Sequence, residues 1–296
     1  MRSLFDEFSK LWPPSRQHAI GNLLRNIRVI RIPSDVGLVG QGQKESTIIV
    51  IDPEGEDCNP MEFLLKGYEH VLYSSRKDFG AQLFASCLMS KRPDSFTENP
   101  IPYFFQGFAP TPEDATKDTN FIRNFKSSED KPFLINELGV FFKQERALRS
   151  IEDICLQAAD EMISNALYNA PIGINGDRLF QKVPREVDIT LPQGKKVKLF
   201  SCYSPQKVVI GCEDPFGSLE RQTILNRLVE IFSQRQSSPI MSAAGAGMGM
   251  KFMIENCANF YMFGEKRKRS IVACTFLLEG RRKNIGRANH LHISIR

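Results

Sequence analysis

A chain of 296 residues with 42% hydrophobic side chains is long enough for two ordinary domains and apolar enough to fill real cores. No stretch approaches the roughly 20 apolar residues that cross a bilayer, and an odd set of seven cysteines without a CxxC pair or regular spacing argues against a complete disulfide framework. The first residues also lack a positively charged start followed by an apolar core, so the sequence reads as a globular protein of the reduced cytoplasm, with a modest formal charge of +5.

In chain order, Phe5, Phe8, Leu11 and Trp12 predict a short amphipathic helix stopped by Pro13 and Pro14. A strand at 29–32, a glycine-containing turn, a strand at 47–51, a helix at 60–67, a strand at 70–74 and a helix at 79–90 follow. This alternation predicts a small α/β layer with parallel strands. Asp52, at the end of the second strand, reads as a turn residue. Residues 93–131 combine prolines, aromatics and charges and read as an irregular connector with at most a short helix. The predicted domains are therefore 1–130, an α/β unit with its connector, and 131–296.

The second half opens with a helical region near 134–148. From Ser150, apolar residues Ile151, Ile154, Cys155, Ala158, Ala159, Met162, Ile163, Ala166 and Leu167 recur at three- and four-residue steps, a helix with one buried stripe that Pro171 ends. Glu161, Asn165 and Asn169 are four residues apart and stack one carboxylate and two amides beside that stripe. A β-branched run then leads from Val208 into Glu213-Asp214-Pro215-Phe216-Gly217-Ser218, a strand whose end delivers a carboxylate at a turn. Gly245, Gly247, Met248 and Gly249 form a glycine-rich turn opening an apolar helix, an arrangement in which backbone N–H groups and a helix N-terminus can meet phosphate. Strands expected at 185–191, 196–202, 206–212, 259–264 and 270–278 and helices at 145–170, 218–234 and 248–259 assemble into a two-layer α/β sandwich.

The order of these pieces resembles the ATP-binding domain of the GHKL superfamily, the group of gyrase B, histidine kinases, MutL and the anti-sigma serine kinases, over roughly residues 145–280. The resemblance implies ATP and Mg2+ as ligands. Glu161 and Asn165 match the motif whose asparagine coordinates Mg2+ and whose glutamate is the base, and Asn169 stands where small kinase-like members often carry histidine. Asp214 matches the acid that recognises adenine, Gly245, Gly247 and Gly249 match the glycines after the ATP lid, and Ser270 falls near a small hydroxyl residue. Residues 235–239 fall in the lid. Where the family's turn usually reads Asp-x-Gly-x-Gly, this chain has Asp214-Pro215-Phe216-Gly217-Ser218, with Phe216 in the first glycine's place. The glutamate in the box implies the anti-sigma serine kinase branch, hence a regulatory Mg-ATP-dependent serine/threonine kinase or weak ATPase acting on a protein partner. The alternatives are a catalytically degenerate nucleotide-binding or interaction module in signalling, and a histidine kinase acting in trans. The four histidines, His18, His70, His290 and His292, lie on no helix leading into the Glu161 helix, which disfavours histidine kinase activity in cis. The N-terminal unit resembles a degenerate response-regulator receiver in its last strand and helix, but 34–46 is too short and glycine-rich for a receiver's first helix.

Lys266, Arg267, Lys268 and Arg269 form one basic run and Arg281, Arg282, Lys283 and Arg287 another. Without interleaved aromatics they predict no specific nucleic-acid partner. The expected partner is a protein, with a homodimer among the assemblies left open.

Overall fold

The computed structural model describes residues 27–40, 43–55, 57–104, 120–144, 146–234, 248–278 and 289–296. The fold is α/β, and the chain forms two compact units. The first holds the described residues within Met1–Ala109, Leu228–Ser238 and Ala288–Ile293, and the second those within Pro110–Arg227, Pro239–Arg287 and Ser294–Arg296. The predicted N-terminal helix and the 281–287 basic run lie outside the described residues.

In the first unit, strands β1 (Arg28–Ile32), β2 (Thr47–Ile51) and β3 (His70–Tyr73) pair in parallel. Every residue of β2 is buried, as expected for a parallel strand covered on both faces. Ile48 and Val50 of β2 and Leu72 of β3 pack with Phe79, Leu83 and Cys87 of helix α2 (Phe79–Lys91), whose four-residue spacing lines one side of the helix. Helix α1 (Met61–Leu65) lies between β2 and β3 in sequence. The connector expected beyond α2 instead begins with two short helices, α3 (Pro93–Glu98) and α4 (Ile101–Phe104). Asp52 is more than a turn residue. Arg31 grips both its oxygens at 2.7 Å and Ser74 donates to Oδ1 at 2.6 Å. Burial raises the Asp52 carboxyl, but these bonds and the Arg31 charge outweigh it and hold the group below its ordinary range.

The last strand, β9 (His290–Ile295), was not foreseen; it runs antiparallel to β3, with His292 opposite His70. Their Nδ1 atoms are 3.1 Å apart, the Tyr73 N–H donates to His290 Nδ1 at 3.1 Å, and Asp78 lies 3.4 Å from His290 Nε2. All three histidines are buried.

The second unit contains an antiparallel ladder in the order β7-β8-β6-β5-β4. Its strands are β4 (Asn120–Phe125), β5 (Val197–Tyr203), β6 (Lys207–Asp214), β7 (Asn259–Glu265) and β8 (Arg269–Leu277). β4 falls inside the expected irregular connector, and the expected strand at 185–191 does not form. There the chain runs irregularly, with one bridge from Thr190 to Ser127, because side chains take its backbone groups. The Tyr168 hydroxyl donates to the carbonyls of Arg185 and Val187, and Ser128 Oγ accepts the Ile189 N–H. Helices α5 (Lys131–Lys143), α6 (Glu152–Ser164) and α8 (Met248–Asn256) belong to this unit, and α7 (Arg221–Gln234) begins in it.

Candidate functional site

Helix α6 forms as its sequence dictates. Glu152 and Asp153 sit in its first turn, where the helix dipole favours acid, and Cys155, Ala158, Ala159, Met162 and Ile163 are buried along one side. The regular helix stops at Ser164. Asn165–Asn169 is a single π turn, closed by the Ala170 N–H donating to the Asn165 carbonyl at 2.9 Å. The α periodicity assumed through Asn169 therefore fails by one residue, yet Asn169 Nδ2 still donates to Asn165 Oδ1 at 2.7 Å. Such π turns inside helices recur at functional sites.

The Glu161 side chain lies flat on Gly249. A Cβ built at Gly249 would be 2.0 Å from Glu161 Oε2 and 2.3 Å from its Cδ, so only glycine admits the carboxylate there. Gly249 is the second residue of α8 (Met248–Asn256), and the N–H groups of a helix's first turn carry partial positive charge. Two stretches far apart in sequence thus meet through an acid and a helix start. Sequence reasoning missed the support behind this contact: Lys131 binds Asp160 at 2.8 Å and donates to Ser164 Oγ at 2.8 Å, fixing α5 to α6 on either side of Glu161 in sequence.

Strand β6 contacts both α6 and the π turn, and ends at Asp214, directly across the ladder from Ser270 of β8. Asp214 Oδ1 accepts the Phe216 N–H at 2.9 Å, the local turn that aspartate favours. Burial pushes the Asp214 carboxyl up to about 6, against the Phe216 N–H bond and the nearby Ser270 hydroxyl and Gly217 N–H, which favour the ionised form. Phe216 itself is buried, with Lys195 Nζ 5.9 Å from its ring centre. Gly217 has φ +56, and a Cβ there would lie 2.0 Å from the Glu265 carbonyl oxygen. Its glycine is demanded by the β7–β8 turn, not by approach of a ligand from that side.

Arg178 joins the two halves. Its guanidinium donates to the Asn169 carbonyl, to Ser218 Oγ at 2.8 Å and to the Ser218 carbonyl at 2.8 Å. Nothing periodic marks this arginine in the sequence; the one sign is the Gly173-Ile174-Asn175-Gly176 turn just before it, closed by Gly176 N–H to Gly173 O at 3.0 Å.

Glu161, Asn165, Asn169 and Gly249 thus form one group, and Asp214, Phe216, Gly217 and Ser270 another, with Arg178 between them. Met248 is exposed at the start of α8. Gly245, Gly247 and the expected lid at 235–239 lie outside the described residues. Among the described residues no three His, Cys, Asp or Glu side chains cluster as a metal cage. Mg2+ carried by phosphates needs only one or two protein oxygens. Asn165 Oδ1, with a second lone pair beyond the one Asn169 occupies, fits that requirement.

Comparison with protein-family models finds no match, and comparison with curated proteins finds none.

Proposed function

We propose that the second unit is a Mg-ATP site of the GHKL type, and that the protein is a regulatory ATP-dependent serine/threonine kinase of the anti-sigma kind or a weak ATPase acting on a protein partner. The observation that carries this reading is the Glu161 carboxylate on Gly249 in α8, one helical turn before the π turn that pairs the amides of Asn165 and Asn169. Acid, amide oxygen and helix N-terminus are the three groups a magnesium nucleotide needs for base, metal and phosphate.

Bound Mg-ATP supplies the phosphoryl group and the charge neutralisation. The residues do the positioning. Asn165 offers its amide oxygen to the metal while Asn169 fixes the orientation of that amide. Asp214, held at a turn by the Phe216 N–H, accepts from an exocyclic amino group of the base. Glu161 orients the attacking hydroxyl, of water or of a partner's serine or threonine, and takes its proton. His70, His290 and His292 are buried in the first unit, which weighs against a phosphoaccepting histidine among them.

A second reading, a non-catalytic interaction module, is favoured by Phe216 buried in the turn and by Gly217 committed to the β7–β8 hairpin. Calorimetric titration with ATP and ADP, with and without Mg2+, separates the two. The first reading expects Mg2+-dependent binding that Asn165→Ala abolishes, and phosphate release or transfer that Glu161→Ala abolishes. Absence of nucleotide binding sinks it and leaves the module.

A further inference from the structure

The turn between β7 and β8 exposes Lys266, Arg267 and Lys268. Arg269 is already committed to Glu265 at 3.5 Å and Glu213 at 3.9 Å, and Lys198 to Glu213 as well. Among the described residues no ion pair occupies Lys195, Lys266, Arg267 or Lys268. A basic hairpin tip is ordinarily a solvated, floppy end, but this one is fixed. Arg267 holds φ 60, its N–H donates to the Gly217 carbonyl at 3.0 Å, Lys268 N–H donates to the Glu265 carbonyl at 3.0 Å, and Lys266 N–H donates to the Arg296 carbonyl at 3.0 Å. The missing Cβ of Gly217 lets the two backbones touch. Lys195, 3.4 Å from the Pro215 carbonyl, approaches the same turn. The backbone that carries these unneutralised cations is therefore held beside the Asp214 turn, so that only their side chains are left to order on meeting an anionic partner.

Two neighbours narrow the partner's class. Phe216, Tyr261 and Phe263 are all buried, so none of these three offers a face to stack on a nucleic-acid base. Ile174, by contrast, is 95% exposed at the tip of the turn whose Gly176 faces Arg267. Ile174, with Leu179, 40% exposed, beside Gly173 of the same turn, makes too small an apolar surface to hold a membrane, but it suits a single apolar anchor in a charged peptide.

We propose that the β7–β8 turn, with Lys195 and Ile174 beside it, is a docking surface for an acidic segment of a partner protein that carries one apolar residue. The proposal rests on the nucleotide-site reading only for its purpose, which is to hold the protein partner next to the Asp214 turn.

The test is fluorescence anisotropy of a labelled oligoglutamate peptide with one central leucine, using the full chain without nucleotide. Binding is expected, weakening about tenfold when salt shortens the range of the charges. The triple variant Lys195→Gln, Lys266→Gln, Lys268→Gln is expected to bind about tenfold more weakly with an unchanged unfolding temperature, since all three side chains are exposed. Ile174→Ser is expected to weaken binding at high salt, where the apolar contact dominates. Triple-variant binding within about twofold of wild type would overturn the proposal. So would oligouridylate of equal charge, or phosphatidylserine vesicles, binding in preference to the peptide. Because no nucleotide is present, failure of the ATP titration and failure of this docking are separate results.

Discussion

The Glu161 carboxylate rests on Gly249 so closely that a methyl group in place of the glycine hydrogen would lie 2.0 Å from Oε2. Gly249→Ala must therefore push the carboxylate away. Because the displaced atoms are the end of a flexible side chain, the cost is expected at the low end of overpacking, about 1 kcal/mol. Glu161→Ala removes the clash, so the double variant should recover most of that loss in urea unfolding. Strictly additive losses in the double-mutant cycle would contradict the contact.

Arg178 ties the π turn to the Asp214 turn through three donated hydrogen bonds. Arg178→Ala is expected to cost about 1–3 kcal/mol and to speed amide exchange at 165–170 and 214–218 together. Arg178→Lys keeps the charge but not the planar fork and should recover only part of the loss. Exchange that rises in only one of the two segments would show that the arginine does not couple them.

The Asp214 carboxyl, raised from 3.8 to about 6 in the folded protein, makes ionisation costly. Between those values the folded state binds more protons than the unfolded one, so this group's contribution to stability falls as pH rises through that window and is flat above it. Asp214→Asn should remove that slope and stabilise the protein at neutral pH by roughly 1–3 kcal/mol, while abolishing adenine nucleotide binding. In wild type, binding that needs the ionised carboxylate should weaken as pH falls below about 6. A flat binding profile together with an Asn variant no more stable than wild type would refute the assignment.

Burial pushes the His292 imidazole well below 6.5, with His70 and His290 adding to the effect and Asp78 opposing it. The folded state therefore binds fewer protons than the unfolded chain below pH 6.5, and stability is expected to drop as pH falls from there. His292→Gln should flatten this drop in urea unfolding followed across that range. An unchanged slope would place the acid sensitivity elsewhere.

Much of the fold was legible where burial follows a simple period. Thr47–Ile51 declares itself as a β-branched run, apolar after Thr47, and the stripe from Cys155 to Ile163 as a helix face. Strand β4 was not legible because only Phe121 and Phe125 are buried in it, so no alternation appears at an edge strand whose other residues face water. β9 hid its histidines in the core, where polar residues are not expected from composition. At the candidate site, the motif singles out Glu161, Asn165, Asn169 and Asp214. The π turn could not, because it depends on one backbone bond to Asn165, nor could Arg178, which acts through distant carbonyls that leave no local pattern.

The central claim is that the α6 end, the Asp214 turn and the start of α8 make one cradle for a magnesium nucleotide. Hydrogen exchange of the full chain with and without Mg-ATP tests it most directly. Slowed exchange in all three segments, 161–170, 214–218 and 248–253, lost together in Asn165→Ala, is the expected result. Protection confined to one segment, or absent from all three at saturating Mg-ATP, would contradict the claim.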